Sequence, residues 1–213
     1  MKKKILIVVG VIGLFLIIYS IDNGKSSISN QNISIDQQID KKTQQEEFLK
    51  LYRIALSGIK ISNTLFYSTH NLLNKVNTSS MYDFLKNSEE HHKELTLKFT
   101  TVSADINKTH PSLKEYRKDI AQSFDELADV AAHRQLEAKY LADYLNTGNL
   151  ESYRKTKNEI EGTGETLSNA VSRLVFGIGE KLGMDTKLLD EEYQKIDVEV
   201  KQDFEDKFGK STQ

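Results

Sequence analysis

Cysteine is absent from this sequence, which excludes disulfides, thiolate metal ligands, a cysteine nucleophile and a lipid-modified N-terminal cysteine. Proline occurs once in 213 residues, far below its usual frequency of about 5%. Since proline interrupts helices, its scarcity permits long helices through most of the chain. An excess of charge of one sign is also missing, because 29 lysines and arginines face 31 aspartates and glutamates. No basic surface for nucleic acid is therefore expected.

Sequence signatures of catalysis are missing as well. The chain contains no phosphate-binding loop, no nucleophile elbow and no zinc-protease helix. We therefore expect a protein that is not an enzyme and carries no cofactor. Its high usage of lysine, asparagine and isoleucine is typical of an AT-rich bacterial genome.

The N-terminus combines three lysines with a long apolar run. Lys2, Lys3 and Lys4 precede apolar residues 5–21, which as a helix would be about 26 Å long, at the short end of what spans a bilayer. Cleavage needs small residues at both −3 and −1, but Ile18 stands at −3 before Ser20 and Asp22 at −3 before Gly24, so we favour an uncleaved transmembrane anchor over a removed signal peptide. The positive-inside rule puts residues 1–4 in the cytoplasm. The prediction is a single-pass protein of the cell membrane with its C-terminal domain outside the cytoplasm.

A polar segment follows the apolar run. Residues 22–42 are rich in serine, asparagine, glutamine and aspartate, with isolated isoleucines. Such a segment cannot bury enough apolar surface to fold by itself. We expect a flexible tether here, with its last third already helical. The polar residues 209–213 are predicted to be a disordered tail.

Between these segments, residues 43–208 carry apolar side chains at alternating steps of three and four, the heptad spacing of coiled coils and helical bundles. The first row of this kind is Phe48, Tyr52, Ala55, Ile59, Ser62, Phe66, Thr69, Leu73 and Val76. Later rows run from Met81 through Ser88 and His92 to Ile106, from Leu113 through Arg134 to Leu145, and from Leu150 through Gly164 to Leu182. Turn residues separate the rows, so the pattern predicts four long helices.

Four helices joined by short loops run antiparallel to their neighbours. The predicted fold is therefore all-α: an antiparallel up-down bundle of four long helices plus a shorter C-terminal helix, preceded by the transmembrane anchor. We expect Phe66, Phe99, Phe124 and Leu167 in the interior of the bundle. Gly58 and Gly164 could face one close approach of the first and fourth helices.

The C-terminal helix carries one apolar stripe. Its members are Leu189, Tyr193, Ile196, Val200 and Phe204. A stripe of this size rarely stays exposed on a soluble monomer. It either packs on its own bundle or provides a surface for a partner or a second copy. The tight turn at residues 183–185 favours packing on its own bundle, because it folds the helix straight back.

One group of side chains suggests a metal site. Glu89 and His92 form a Glu-x-x-His motif, whose spacing places a carboxylate and an imidazole on one helix face. Counted from the turns, His133 and Glu161 fall at the same level of the bundle. Di-iron bundles use two such motifs and two more carboxylates, whereas this chain has one motif. We therefore predict no metal site and keep these four residues as candidates.

Arg134 is a charged residue on an otherwise apolar row. One interpretation is a clamp for an anionic ligand in the bundle. The other, which we favour, is a side chain that reaches the surface or pairs internally with Glu159 or Glu161 of the fourth helix.

Together these features predict a membrane-tethered extracytoplasmic helical bundle, bacterial in origin, that acts as an interaction or scaffold protein. The expected partners are the membrane, through the anchor, and a protein or envelope component; a homo-oligomer is a further alternative. No nucleic-acid partner is expected. The competing prediction is a metal- or small-molecule-binding four-helix bundle that uses the Glu-x-x-His site.

Overall fold

The computed structural model describes residues 35–73 and 75–208. Its first half contains α1 (Ile35–Leu72), α2 (Thr78–Thr109), a 3-10 turn (Pro111–Leu113) and α3 (Arg117–Thr147). Its second half contains α4 (Leu150–Ile160), α5 (Thr163–Ser172), a π-helical segment (Arg173–Gly179) and α6 (Thr186–Phe208). These described ranges hold helices and no strand, which confirms the all-α class.

The anchor and the tail lie outside the part of the chain that the structure describes. This applies to the predicted cytoplasmic residues 1–4, the apolar residues 5–21 and residues 209–213. Because α1 begins at Ile35, residues 35–42 of the predicted tether are helical. Among the described residues, no helix is both long and apolar enough to cross a bilayer.

Local sequence signals explain where the helices begin and end. The Asn77 side chain accepts a hydrogen bond from the backbone N–H of Ser80 at the start of α2. The Asp185 side chain accepts from two backbone N–H groups at the start of α6. Gly148 ends α3 in the left-handed conformation, at φ 70°, which glycine adopts without steric strain.

The fourth long helix is interrupted, so the prediction of one continuous helix over residues 150–182 is wrong. Glu161 is extended, with ψ 125°, and Gly162 is left-handed, with φ 82°. The break separates α4 from α5. Its physical cause is a single glycine, which adopts a backbone conformation that other residues rarely reach.

Two apolar clusters form the core of the described chain. The larger is built by α1, α2, α3, α5, the π-helical segment and α6. The smaller consists of Leu72, Met81, Leu85, Ala138, Leu141, Ala142 and Phe204, from α1, α2, α3 and α6. Phe99, Phe124 and Leu167 are buried as predicted. The prediction is wrong for Phe66, which is only half-buried; one face of its ring lies against the Arg134 guanidinium, 4.5 Å from Cζ to the ring centroid.

The C-terminal helix α6 packs on its own chain, as predicted. Four stripe residues are buried and Tyr193 is half-buried. Tyr52 Oη of α1 donates to the carbonyl of Leu189 at 2.6 Å, and burial raises the pKa of Tyr52. Further along both helices, the rings of Tyr67 and Phe204 meet with their centroids 5.3 Å apart. Later residues of α1 thus contact later residues of α6, so the two helices run parallel.

Gly58 marks a close approach between α1 and α2. A Cβ at this position would lie 2.2 Å from Cζ of Phe99, whose ring also packs against Phe124. The suggested contact between Gly58 and Gly164 is wrong, because nothing lies within 4 Å of the position that a Cβ on Gly164 would occupy.

We predict that Gly58→Ala lowers the free energy of unfolding by about 1–3 kcal/mol, since the new methyl group displaces the Phe99 ring. The matched control is Gly164→Ala, which should leave stability unchanged or raise it by up to about 1 kcal/mol. Urea denaturation of the full-length chain, followed by circular dichroism, measures both. Equal stabilities of the two variants would contradict the close approach.

Candidate functional site

A layer of buried polar side chains crosses the described bundle, and we call it the polar layer. Its members are Ser62 and Asn63 of α1, Ser88 and His92 of α2, and Arg134 and Glu137 of α3. His92 is 1% exposed, Glu137 2% and Arg134 6%. Because burying unpaired polar groups is costly, the hydrogen bonds within the layer favour the arrangement of the helices that provides them.

The hydrogen bonds of His92 assign its tautomer. Nδ1 lies 2.9 Å from the backbone carbonyl of Ser88, and a carbonyl only accepts, so Nδ1 carries the proton. Nε2 lies 3.1 Å from Ser62 Oγ. Burial lowers the pKa of His92 to about 4, so at neutral pH Nε2 carries no proton and accepts from the Ser62 hydroxyl, whose oxygen accepts from Arg134 Nη1. The ring is therefore neutral and held between two helices.

Arg134 connects α3 to α1. Its Nη1 donates to Ser62 Oγ and to Asn63 Oδ1, both at 2.8 Å. Asn63 Nδ2 in turn donates to Asp197 Oδ1 of α6 at 2.9 Å. The predicted pairing of Arg134 with Glu159 or Glu161 is wrong. The prediction that its side chain reaches the surface is wrong as well, because the guanidinium is buried against α1.

The charges of the polar layer are set by burial. Burial lowers the pKa of Arg134 to about 10, and the carboxylates of Glu137 and Asp197 act in the opposite direction. Arg134 is therefore still charged at neutral pH. Burial, followed by the charge of Arg134, lowers the pKa of His92 to about 4. Glu137 Oε1 lies 2.8 Å from His70 Nε2.

The four candidate metal ligands have separate surroundings. Glu89 pairs with Lys86, a neighbour on its own helix. His133 Nδ1 lies 2.9 Å from Glu159 Oε2. Glu161 is exposed at the bend between α4 and α5, and both ring nitrogens of His92 have partners within the protein. Within residues 35–73 and 75–208, no group of three or more His, Cys, Asp or Glu side chains is placed to hold a metal ion.

Two clefts of the described surface lie apart from the polar layer. One, of about 320 Å³, is lined by Asp40, Lys41, Gln44, Glu115, Tyr116, Lys181 and Leu182. The other, of about 300 Å³, is lined by Leu56, Ser57, Lys60, Glu192, Lys195, Ile196 and Glu199. Neither is lined by a residue of the polar layer. The layer joins α1, α2, α3 and α6 through hydrogen bonds.

The sequence contained a signal for this layer, although no such layer was predicted. Ser62, Ser88, His92 and Arg134 are polar residues on predicted apolar rows, and that is a usable signal. The pattern did not reveal Asn63, because it lies beside its row.

The fold and the polar layer define an all-α protein whose helices are joined by a buried hydrogen-bond network. No family model, curated protein or solved structure matches the chain.

Acid should weaken the fold through His92. The pKa of His92 is about 4 in the folded chain against 6.5 as its ordinary value, so the unfolded state binds a proton first as the pH falls. The stability contributed by the neutral ring is complete above a pH of about 6.5 and lost near pH 4, a change of about 3 kcal/mol.

His92→Gln removes this part of the pH dependence, while the exposed neighbour His91→Gln keeps it. Urea denaturation between about pH 7 and pH 4 compares the two variants with the wild type. The same pH slope in His92→Gln as in the wild type would contradict the neutral, buried ring.

Removal of the buried guanidinium should also be costly. Arg134→Ala leaves Ser62 and Asn63 without their donor, and we expect a loss of about 3–5 kcal/mol in the free energy of unfolding. Arg154→Ala is the control, since this side chain is exposed and lies 3.8 Å from Glu151; its change should stay within about 0.5 kcal/mol. Thermal denaturation measures both, and similar losses would refute the role of Arg134.

Proposed function

We propose that the chain is a membrane-tethered, extracytoplasmic helical-bundle protein that works by binding and performs no catalysis. The apolar run at residues 5–21 is its anchor, and the described helices are the part that meets a partner. That partner is a protein or a component of the bacterial envelope.

The observation that carries this proposal is the closed interior of the described bundle. Among its titratable groups, His92 and Arg134 make hydrogen bonds to α1, and Glu137 lies 2.8 Å from His70 of α1. Both described clefts are lined mainly by surface residues outside the polar layer. When the buried polar groups hydrogen-bond the helices to one another, the outer surface is the part of the protein that can bind a partner.

The proposed order of the helices is up-down-up-down for α1, α2, α3 and the segment from α4 to the π-helical segment, with α6 as the shorter fifth helix; the contacts of α3 with that segment support its antiparallel course. Tyr144 packs on Tyr153 close to the α3–α4 turn, with ring centroids 5.1 Å apart. Further from that turn on both sides, Arg173 Nη1 donates to Glu126 at 2.6 Å. Such pairing is that of antiparallel neighbours.

The sequence of the N-terminus supports the anchor. Three lysines before an apolar run are the arrangement of a segment that keeps its short N-terminal end in the cytoplasm. Polar residues follow the apolar run in the sequence and precede the described helices. The run can therefore lie in lipid while the helices lie in water.

Fractionation of bacteria that express the full-length chain tests the anchor. We expect the wild type in the membrane fraction after an alkaline wash, with its C-terminal domain open to protease added to spheroplasts. The double variant Leu14→Lys with Leu16→Lys places two charges in the apolar run, where each costs about 2.5–3.5 kcal/mol. It should leave the membrane.

The matched control adds the same two lysines to the tether, as Asn30→Lys with Asn32→Lys, and should stay in the membrane fraction. Wild-type protein found in the soluble cytoplasm would refute the proposal. Metal analysis of the protein purified without chelators separates binding from the metal-dependent alternative, because near-stoichiometric metal that His92→Ala removes would favour the alternative.

A further inference from the structure

α4 is held less firmly than the helix that follows it. Of its eleven residues, Thr156 is the buried one. The shorter α5 buries four residues: Thr163, Leu167, Ala170 and Val171. No α4 side chain belongs to either apolar cluster of the described chain. Departure of α4 would therefore remove little apolar surface from the core.

The core beside α4 is closed without it. Four other helices, α1, α2, α3 and α6, supply every member of the smaller cluster. Phe204 of α6 fills that cluster, and its ring packs against Tyr67 of α1. At this level α6 fills the place in the core that the sequence pattern assigned to the start of the fourth helix.

The side-chain pairings of α4 with another helix reach α3. The ring of Tyr153 packs against Tyr144, Lys155 Nζ lies 5.6 Å from the ring centroid of Tyr140, and Glu159 Oε2 lies 2.9 Å from His133 Nδ1. These pairings sit at the surface. Tyr153 is 43% exposed, and such exposed contacts each contribute about 1 kcal/mol or less.

A glycine with positive φ lies just beyond each cap of α4, next to Asn149 at the start and next to Glu161 at the end. Gly148 has φ 70° and Gly162 has φ 82°. Nothing lies within 4 Å of the position that a Cβ on either glycine would occupy. The backbone on each side of α4 therefore has space to turn, and glycine has the conformational freedom to do so.

We propose that α4 is a latch that detaches from α3 between Gly148 and Gly162 while the rest of the described bundle stays folded. Its release uncovers Tyr140, Tyr144 and His133 of α3, a surface that we call the tyrosine strip. An isolated helix of this length is unstable in water, so detachment and unfolding of α4 are one event. The inference rests on the packing of the fold and is independent of the proposed function.

Hydrogen exchange of the full-length chain tests the latch. Backbone amides of α4 should exchange at least about 100-fold faster than those of α3, because they exchange through local opening. Low concentrations of urea should accelerate α3 and leave α4 almost unchanged, since local opening exposes little surface.

Two substitutions on α4 sharpen the test. Tyr153→Ala loses the ring contact with Tyr144 and should accelerate exchange of α4 by up to about tenfold, with α3 unchanged. Leu150→Ala is the matched control, because the Leu150 side chain is 61% exposed. In this variant the backbone amides of α4 should exchange as fast as in the wild type. Equal rates and equal urea dependence for α3 and α4 would overturn the proposal, because α4 would then open only with the whole bundle.

Discussion

The buried positive charge of Arg134 is the constraint on which the polar layer depends. A guanidinium at 6% exposure is tolerated only where partners surround it. Ser62 and Asn63 of α1 supply the acceptors, and Asn63 passes the connection to Asp197 of α6. Since Ser62 is also the donor to His92, one charge fixes the rotation of four helices about their own axes. Apolar packing alone would tolerate several rotations of each helix about its axis. The hydrogen bonds of the polar layer can form in only one of them.

Much of the fold could be predicted because its signals are local or periodic. The caps at Asn77 and Asp185 and the stripe of α6 needed only short stretches of sequence. The break at Gly162 could not be predicted, because apolar residues keep a helical spacing on both sides of it and spacing carries no information about one residue's φ. The exposure of Leu150, the first residue of the predicted fourth row, was also missed, since competition between α4 and α6 for the same part of the core is decided by three-dimensional packing.

Members of the polar layer stand out in the sequence as polar residues on apolar rows, but the sequence does not indicate which residues they pair with. Arg134 on an apolar row indicated a buried polar group, yet an arginine side chain reaches neighbours on two sides. Here Glu159 is paired with His133, which leaves the guanidinium to α1. Counting residues from the turns estimated the level of each histidine but not its direction. His92 is buried between helices and the side chain of His133 is 52% exposed, so a shared level did not make a shared site.

The parallel course of α1 and α6 has a mechanical consequence. The contacts run in the same direction along both helices, from Tyr52 with Leu189 to Tyr67 with Phe204. The beginning of α1 and the end of α6 therefore lie at opposite ends of this helix pair. The longer helix, α1, has a length of about 57 Å. Tension applied between those two points would load all these contacts simultaneously, in shear. An antiparallel pair pulled from adjacent ends would unzip one contact at a time. The α1–α6 pair therefore resists tension along its own axis better than an antiparallel pair would.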